Sequence, residues 1–255
     1  MDAKRQSIDK YFTSKFPKWA VVLVVIGVIM GLSGISSTEA NMGRLLIGVL
    51  LLAGGGFAIF NSTKIASDEQ IDEWTREDIK GLVDRRALEK MGTDASELVG
   101  ESVFITGPRL KNIAPAKFGY RKGKDSNLRF TPVDTAVINF TQDQLLVYRC
   151  AMDLITGKPI NESTDEYFYR DVVSVQTASD TMSVTLPGFK DPIQMDSAES
   201  FKLTTSGGTS VSIVLRDPSL IKKMGGGEIP TTIAEKTIQT IRKMLREKKA
   251  VGASV

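Results

Sequence analysis

The sequence predicts an α+β membrane protein: a two-helix transmembrane hairpin, a juxtamembrane helix, a small antiparallel β-barrel and one C-terminal helix. Three observations predict it. Two uncharged runs, "WAVVLVVIGVIMGLSGI" (19–35) and "LLIGVLLLAGGGFAIF" (45–60), lie near the N-terminus. Short segments rich in β-branched and aromatic residues then recur at tight spacing between residues 102 and 216. One amphipathic stretch, 230–249, follows them.

The apolar runs hold 17 and 16 residues. A span needs about 20 apolar residues, with a lower limit near ~17. Both runs reach that limit once Pro17–Lys18 and Met42–Arg44 lie at the headgroups. The first run lacks a small-x-small cleavage site followed by a soluble segment, which argues against a signal peptide. Neither run has a polar face, which argues against helices of a soluble core. Gly27 and Gly31 in "GVIMG" form a small-xxx-small pattern, and Gly54, Gly55 and Gly56 offer the same to the second helix. Packing within the hairpin explains both, and oligomerisation is the stronger reading. The spans carry no ionisable residue, which disfavours a transport path built on intramembrane charge.

Charge sets the expected orientation. Residues 1–18 carry Lys4, Arg5, Lys10, Lys15 and Lys18, whereas the loop "SSTEANMG" has no Lys or Arg. The positive-inside rule then places both termini in the cytoplasm, in a cell inner membrane. The expected divisions are a basic N-terminal segment (1–18), the hairpin (19–60), a helical linker (61–99) and a cytosolic domain with its C-terminal helix (100–255). The net charge of +3 resides in the first segment, so the remaining chain is neutral. A neutral body argues against nucleic-acid binding, which needs a basic footprint.

Residues 67–92 read as helix, with Ser67 as N-cap, Gly92 at the C-terminal cap, and Ile71, Trp74, Ile79 and Leu82 on one face. Gly81 is a point where that helix can break. Strands are expected at 102–107, 128–133, 135–141 and 144–154, with "TQDQ" as a tight hairpin and "ITGKPINEST" as a turn. "EYFYRDVVSVQT" (166–177) is expected to form one strand with some aromatics packed inward. "MSVTL", "SFKLTT" and "TSVSIVLR" complete the set, "TSGGTS" making a hairpin loop. In 230–249, Ile233, Ala234, Ile238, Ile241 and Leu245 form an apolar stripe that suits an open barrel end or an exposed edge.

The stretch 138–175 carries a resemblance. Phe140, Thr141 and Leu145, followed by Phe168, Tyr169, Asp171, Val172, Ser174 and Val175, resemble the hairpin and strand signatures of bacterial pleckstrin-homology-like and GRAM-like domains. The whole chain resembles an uncharacterised bacterial two-span membrane family carrying such a domain. The resemblance spans roughly residues 100–250 and implies a PH-like fold. That fold hosts lipid binding, peptide binding and scaffolding, so it implies no activity. The insert "KNIAPAKFGYRKGKDSN" departs from the minimal domain.

The chain has no histidine and one cysteine, Cys150. Histidine-based triads, a zinc site and an internal disulfide are therefore all ruled out. Cys150 reads as a small buried strand residue. Asp165, Glu166 and Asp171 are close in sequence and read as a solvated turn and a strand-entry carboxylate. "GYRKGKD" lacks the spacing and hydroxyl of a phosphate loop, and "GGG" (225–227) reads as a connector before a helix. No catalytic residue, cofactor or metal is expected.

Electrostatics supplies the candidate site. Residues 109–131 carry seven basic groups against Asp125, while 67–101 carry eleven acidic against five basic. Lys117, Arg121, Lys122, Lys124 and Arg129 are candidates for contact with anionic lipid, at about 1 kcal/mol per basic residue near a membrane, or with a partner. The other reading pairs this basic loop with the acidic helix or with another subunit. The expected function is a membrane-anchored, non-enzymatic adaptor or scaffold whose PH-like domain binds a protein partner or assembles with itself. Anionic-lipid sensing and an oligomeric pore or channel subunit are the alternatives.

Overall fold

A computed structural model describes residues 2–14, 17–35 and 42–252. Lys15 and loop residues 36–41, which enter the orientation argument, lie outside the described residues. The chain forms two compact units, Asp9–Ser67 on the one hand and Met1–Ile8 with Asp68–Val255 on the other. Helix α1 (Ala3–Thr13), not expected from the sequence, begins in the larger unit and ends in the smaller.

The smaller unit is a helical hairpin, α2 (Lys18–Ile35) against α3 (Met42–Thr63). Their 18 and 22 residues rise about 27 and 33 Å, close to a hydrocarbon core of about 30 Å. Both are long and apolar enough to cross a membrane. Val22, Ile29 and Leu32 on α2, and Leu46, Leu50 and Phe57 on α3, are exposed. Ala20, Gly27 and Gly34 are buried on α2, as are Gly48 and Gly55 on α3.

In the larger unit, α4 (Asp68–Gly81) runs through a π-turn (Leu82–Arg86) into α5 (Ala87–Met91). The wide turn begins immediately after Gly81, the weak point of the expected helix. Its extra residue keeps Leu82 and Ala87, five positions apart, on the buried side that Ile71 and Ile79 begin. Gly92, at φ +64°, adopts the left-handed conformation that ends the helix.

Nine strands follow among the described residues. One sheet has the order β1 (Val103–Pro108), β4 (Val133–Phe140), β5 (Gln144–Asp153), β6 (Lys158–Phe168). A second is β7 (Val172–Val184), β8 (Ile193–Thr205), β9 (Ser210–Arg216). A hairpin, β2 (Gly119–Lys122) with β3 (Leu128–Thr131), occupies the insert. Helices α6 (Pro218–Lys223) and α7 (Thr232–Gly252) complete the chain. The architecture is α+β with antiparallel sheets.

The expected barrel is not closed: among the described residues no sheet joins its own edge. A 3₁₀ turn at Tyr169–Asp171 separates β6 from β7, and these strands belong to different sheets. On the opposite side, β1 and β9 approach at Gly107, where a Cβ would collide with the Val214 carbonyl. The two sheets thus meet by close backbone approach rather than by a continuous ladder.

The same turn corrects the reading of "EYFYRDVVSVQT" as one strand. Tyr167, Tyr169 and Val172 point into the core, whereas Phe168 is 49% exposed and Val173 is 60% exposed. Val175 is half-buried against the core. The expected turn "ITGKPINEST" is also corrected: only its start turns, and β6 begins at Lys158.

Two cores result. The first lies between the sheets under α7: Ile105, Ile138, Val147, Phe201 and Ile213 meet Ile238, Ile241 and Leu245. The stripe read from 230–249 supplies its helical side, except that Ile233 is exposed. The second joins Leu128 and Phe130 of the inserted hairpin to Val184, Ile193 and Met195 at the far ends of β7 and β8, and to Leu220 of α6. The 13-residue strands β7 and β8 are long enough to serve both.

Candidate functional site

Helix α4 carries a row of carboxylates, and cations from distant parts of the chain converge on it. At its N-terminal end, Arg129 of β3 donates to Asp72 from Nε and Nη2, both at 2.7 Å. Arg129 also donates to Asp125 at 3.0 and 2.7 Å, and lies 3.9 Å from Asp68. Its side chain is only 9% exposed. The guanidinium holds the Asp125 carboxyl far below the usual carboxylate range. The Lys124 backbone N–H donates to Asp68 at 2.7 Å. Gly123 makes room here, because a Cβ would run into the Arg129, Asp125 and Asp68 side chains.

Farther along α4, Arg5 clasps Asp78 through two hydrogen bonds, 2.5 and 2.7 Å, and donates to the Leu154 carbonyl at 3.0 Å. Lys4 reaches Glu77 at 2.8 Å. Gly157, at φ +71°, closes the β5–β6 turn beside them, where any Cβ would strike the Arg5 guanidinium. At the end of the π-turn, Arg86 makes two 2.8 Å bonds to Glu162 of β6, and the buried Tyr148 hydroxyl donates to the same carboxylate at 2.8 Å. Arg86 is the main cause of the fall of Glu162 to a pKa of about 2.

The five candidate cations separate into distinct environments. Arg129 is turned inward. Arg121 sits opposite it in the β2–β3 register, half-exposed and engaged. The Lys122 ammonium donates to the Gly225 carbonyl at 3.3 Å. The side chains of Lys117 and Lys124 are exposed. Arg109, from the same basic segment, bonds Asp134 at 2.6 Å. The triglycine 225–227 is a built turn. All three residues have positive φ, and a Cβ on Gly227 would collide with the Ser126 carbonyl.

The candidate glycines also separate. A Cβ on Gly27 would lie 2.9 Å from the Gly48 carbonyl oxygen, and one on Gly55 would lie 2.8 Å from that of Ala20. Gly31 touches α3 only through its backbone, 2.8 Å from the position of a Gly48 Cβ. Gly54 and Gly56 face open space. Gly48 was not read from the sequence. The signal that marks it is a seven-residue spacing of small residues: Ala20–Gly27–Gly34 on α2 and Gly48–Gly55 on α3. That period, rather than small-xxx-small, follows a left-handed helix contact.

The carboxylates read together in 165–171 are held apart. Asp165 pairs with Arg149 at 2.7 Å, Glu166 accepts from Gln144 at 3.3 Å, and Asp171 sits beside Arg170. Cys150 is buried in β5, and burial pushes its thiol up to about 12. Among the described residues no group of three or more His, Cys, Asp or Glu side chains is placed to hold a metal ion.

Two clefts flank α4. One, about 470 Å³, is lined by Leu82, Arg85 and Arg86 of the π-turn together with Glu77, Lys158 and Pro159. The other, about 290 Å³, has an apolar floor of Ile79, Phe104 and Leu128, with Thr75 and Arg76 at its rim. Comparisons of the chain with protein-family models, with curated proteins and with solved structures return no match.

Proposed function

We propose that this chain is a membrane-anchored, non-enzymatic scaffold of the bacterial inner membrane. Its cytosol-facing, PH-like body binds a protein partner or a second copy of itself. The observation that carries the reading is the destination of the charged groups. Arg5, Arg86 and Arg129 each close a multidentate bond to a carboxylate on another element. Such bonds fix a platform; they do not bring an acid, a base and a nucleophile together. A four-stranded and a three-stranded sheet with α7 over their shared core suit the PH-like reading. The apolar outward faces of α2 and α3 suit anchoring in lipid more than lining a pore.

Photo-crosslinking of the full chain in native membranes tests the reading. One stoichiometric protein partner, or the chain itself, is expected among the products. Substrate turnover by the purified chain, or the absence of any protein product, refutes it.

Anionic-lipid sensing is the second reading, favoured by the exposed side chains of Lys117 and Lys124. In nanodiscs it requires hydrogen-exchange protection of residues 117–129 with anionic lipid and none with neutral lipid. Equal protection in both removes it.

A further inference from the structure

The cleft of about 470 Å³ lies where the π-turn faces the start of β6. Its floor is apolar at the buried Leu82 and Met152 and at Pro159. Its acidic groups are already spent. Glu77 and Asp78 line the cleft, and Lys4 and Arg5 hold them at 2.8 and 2.5 Å. Asp2 and Asp153, which also act on Arg5, accept from the backbone N–H groups of Arg5 and Ile155. Glu162 answers Arg86, Lys90 and the Tyr148 hydroxyl together. Two lining cations are left over. Arg85 is 80% exposed and meets Glu89 only at 3.8 Å. Lys158 is exposed, with no ion pair or side-chain hydrogen bond among the described residues. The unspent charge on the cleft walls is therefore positive, and it comes from two different elements.

We infer that this cleft binds a small phosphate-bearing molecule, with its phosphate between Arg85 and Lys158 and its remainder on Leu82, Met152 and Pro159. The site is independent of the partner that the body holds, and so goes beyond the scaffold reading. Charge selects the ligand class. A phosphate monoester carries about −1.5 to −2 at pH 7, enough to answer two cations, whereas a monocarboxylate answers one. Arginine offers phosphate a planar fork and lysine a mobile point charge. Small-molecule sites commonly occupy about 300–1,000 Å³, a range that includes this cleft. The wall itself supplies a second reason. Single-turn π segments inside helices recur at functional sites, and this one presents Arg85 and Arg86 to the cleft while Leu82 and Ala87 stay buried.

The test titrates the full chain, in nanodiscs of neutral lipid, with glycerol phosphate and in parallel with succinate. Calorimetry reads the affinity and hydrogen exchange reads the place. One-site saturation by glycerol phosphate is expected, with protection at 82–86 and 157–159. Arg85→Ala and Lys158→Ala should each weaken the Kd at least about tenfold, because each removes a charge-assisted bond to the ligand. Lys158→Arg should restore most of the affinity. Neither side chain holds the fold by a close bond, so both alanine variants should keep the parent's melting curve. Lys117→Ala and Lys124→Ala, in the basic insert, should leave the Kd within about twofold. Failure to saturate by about 10 mM overturns the inference, as does an affinity that both cleft variants leave unchanged. Equal losses from the insert variants move the anion to the insert and overturn it too. Succinate binding as tightly as glycerol phosphate removes the phosphate assignment. Nanodiscs containing phosphatidic acid separate a lipid headgroup from a free ester. Protection of 82–86 by that lipid, with none from the free ester, overturns a small-molecule ligand.

Discussion

Replacing Gly48 by alanine adds one methyl group to the face where α2 and α3 touch. That carbon would sit 2.8 Å from the Gly31 nitrogen, 2.9 Å from the Gly27 carbonyl oxygen and 3.0 Å from the Gly31 Cα. Carbon–oxygen contacts settle at about 3.3–3.6 Å. All three neighbours are backbone atoms, so no side chain can swing away, and the helices must part by roughly half an ångström. Overpacking of this kind costs about 1–3 kcal/mol. Gly55→Ala meets the Ala20 carbonyl oxygen at 2.8 Å and should behave alike. Gly54→Ala and Gly56→Ala add their methyl groups to open space and should stay within about 0.5 kcal/mol of the parent. The assay is reversible unfolding of the full chain in mixed detergent micelles. It is followed by energy transfer between dyes at Trp19→Cys and Asn61→Cys in a Cys150→Ala background. Equal destabilisation by Gly54→Ala and Gly48→Ala, or a neutral Gly48→Ala, would refute the contact geometry.

Other expectations follow from the charged groups. Arg129→Met leaves Asp68, Asp72 and Asp125 facing one another and should destabilise the larger unit by about 2 kcal/mol, read by chemical denaturation. Glu162 has its folded pKa lowered from 4.5 to about 2. Its contribution is therefore present above about pH 4.5 and lost as pH falls toward 2. Glu162→Gln should flatten that part of the Tm-versus-pH curve, and an unchanged acid limb would count against the Arg86–Glu162 bond. Tyr148→Phe removes a buried donor to the same carboxylate and should cost about 1–2 kcal/mol of unfolding free energy. Cys150, buried with its thiol pushed up to about 12, should resist maleimide at pH 8 until denaturant opens the sheet; rapid labelling of the native chain would place it elsewhere.

Features written in local pattern were legible. The uncharged runs, the stripe from Ile233 to Leu245 and the turn "TQDQ" each depend on neighbours a few residues away: the runs form two apolar helices, the stripe faces the core except at Ile233, and the turn closes as read. The break in "EYFYRDVVSVQT" was not legible. Tyr167 and Tyr169 are both buried across a change of sheet, and alternation alone makes them look like one strand. β6 was hidden because its exposed, charged edge has the composition of a turn. β2 was hidden because its hairpin is short and buries its apolar side chains largely against residues about 55 to 95 positions later, such as Val184, Met195 and Leu220.

The sequence alone sets the order of parts: two apolar helices, a charged helix, antiparallel strands and a closing helix. It determined these because hydrophobic period and run length act locally. It also held both sides of the electrostatic match, an acidic 67–101 and a basic 109–131. The fold in three dimensions settles which charges meet. Arg129 is buried against Asp72 while the Lys117 side chain stays exposed, and Arg5 crosses 73 positions to reach Asp78. Likewise it decided that Gly48 and Gly55 touch α2 while Gly54 and Gly56 do not. Such choices depend on how rigid elements approach in space, and single residues of one type are indistinguishable until that approach is fixed.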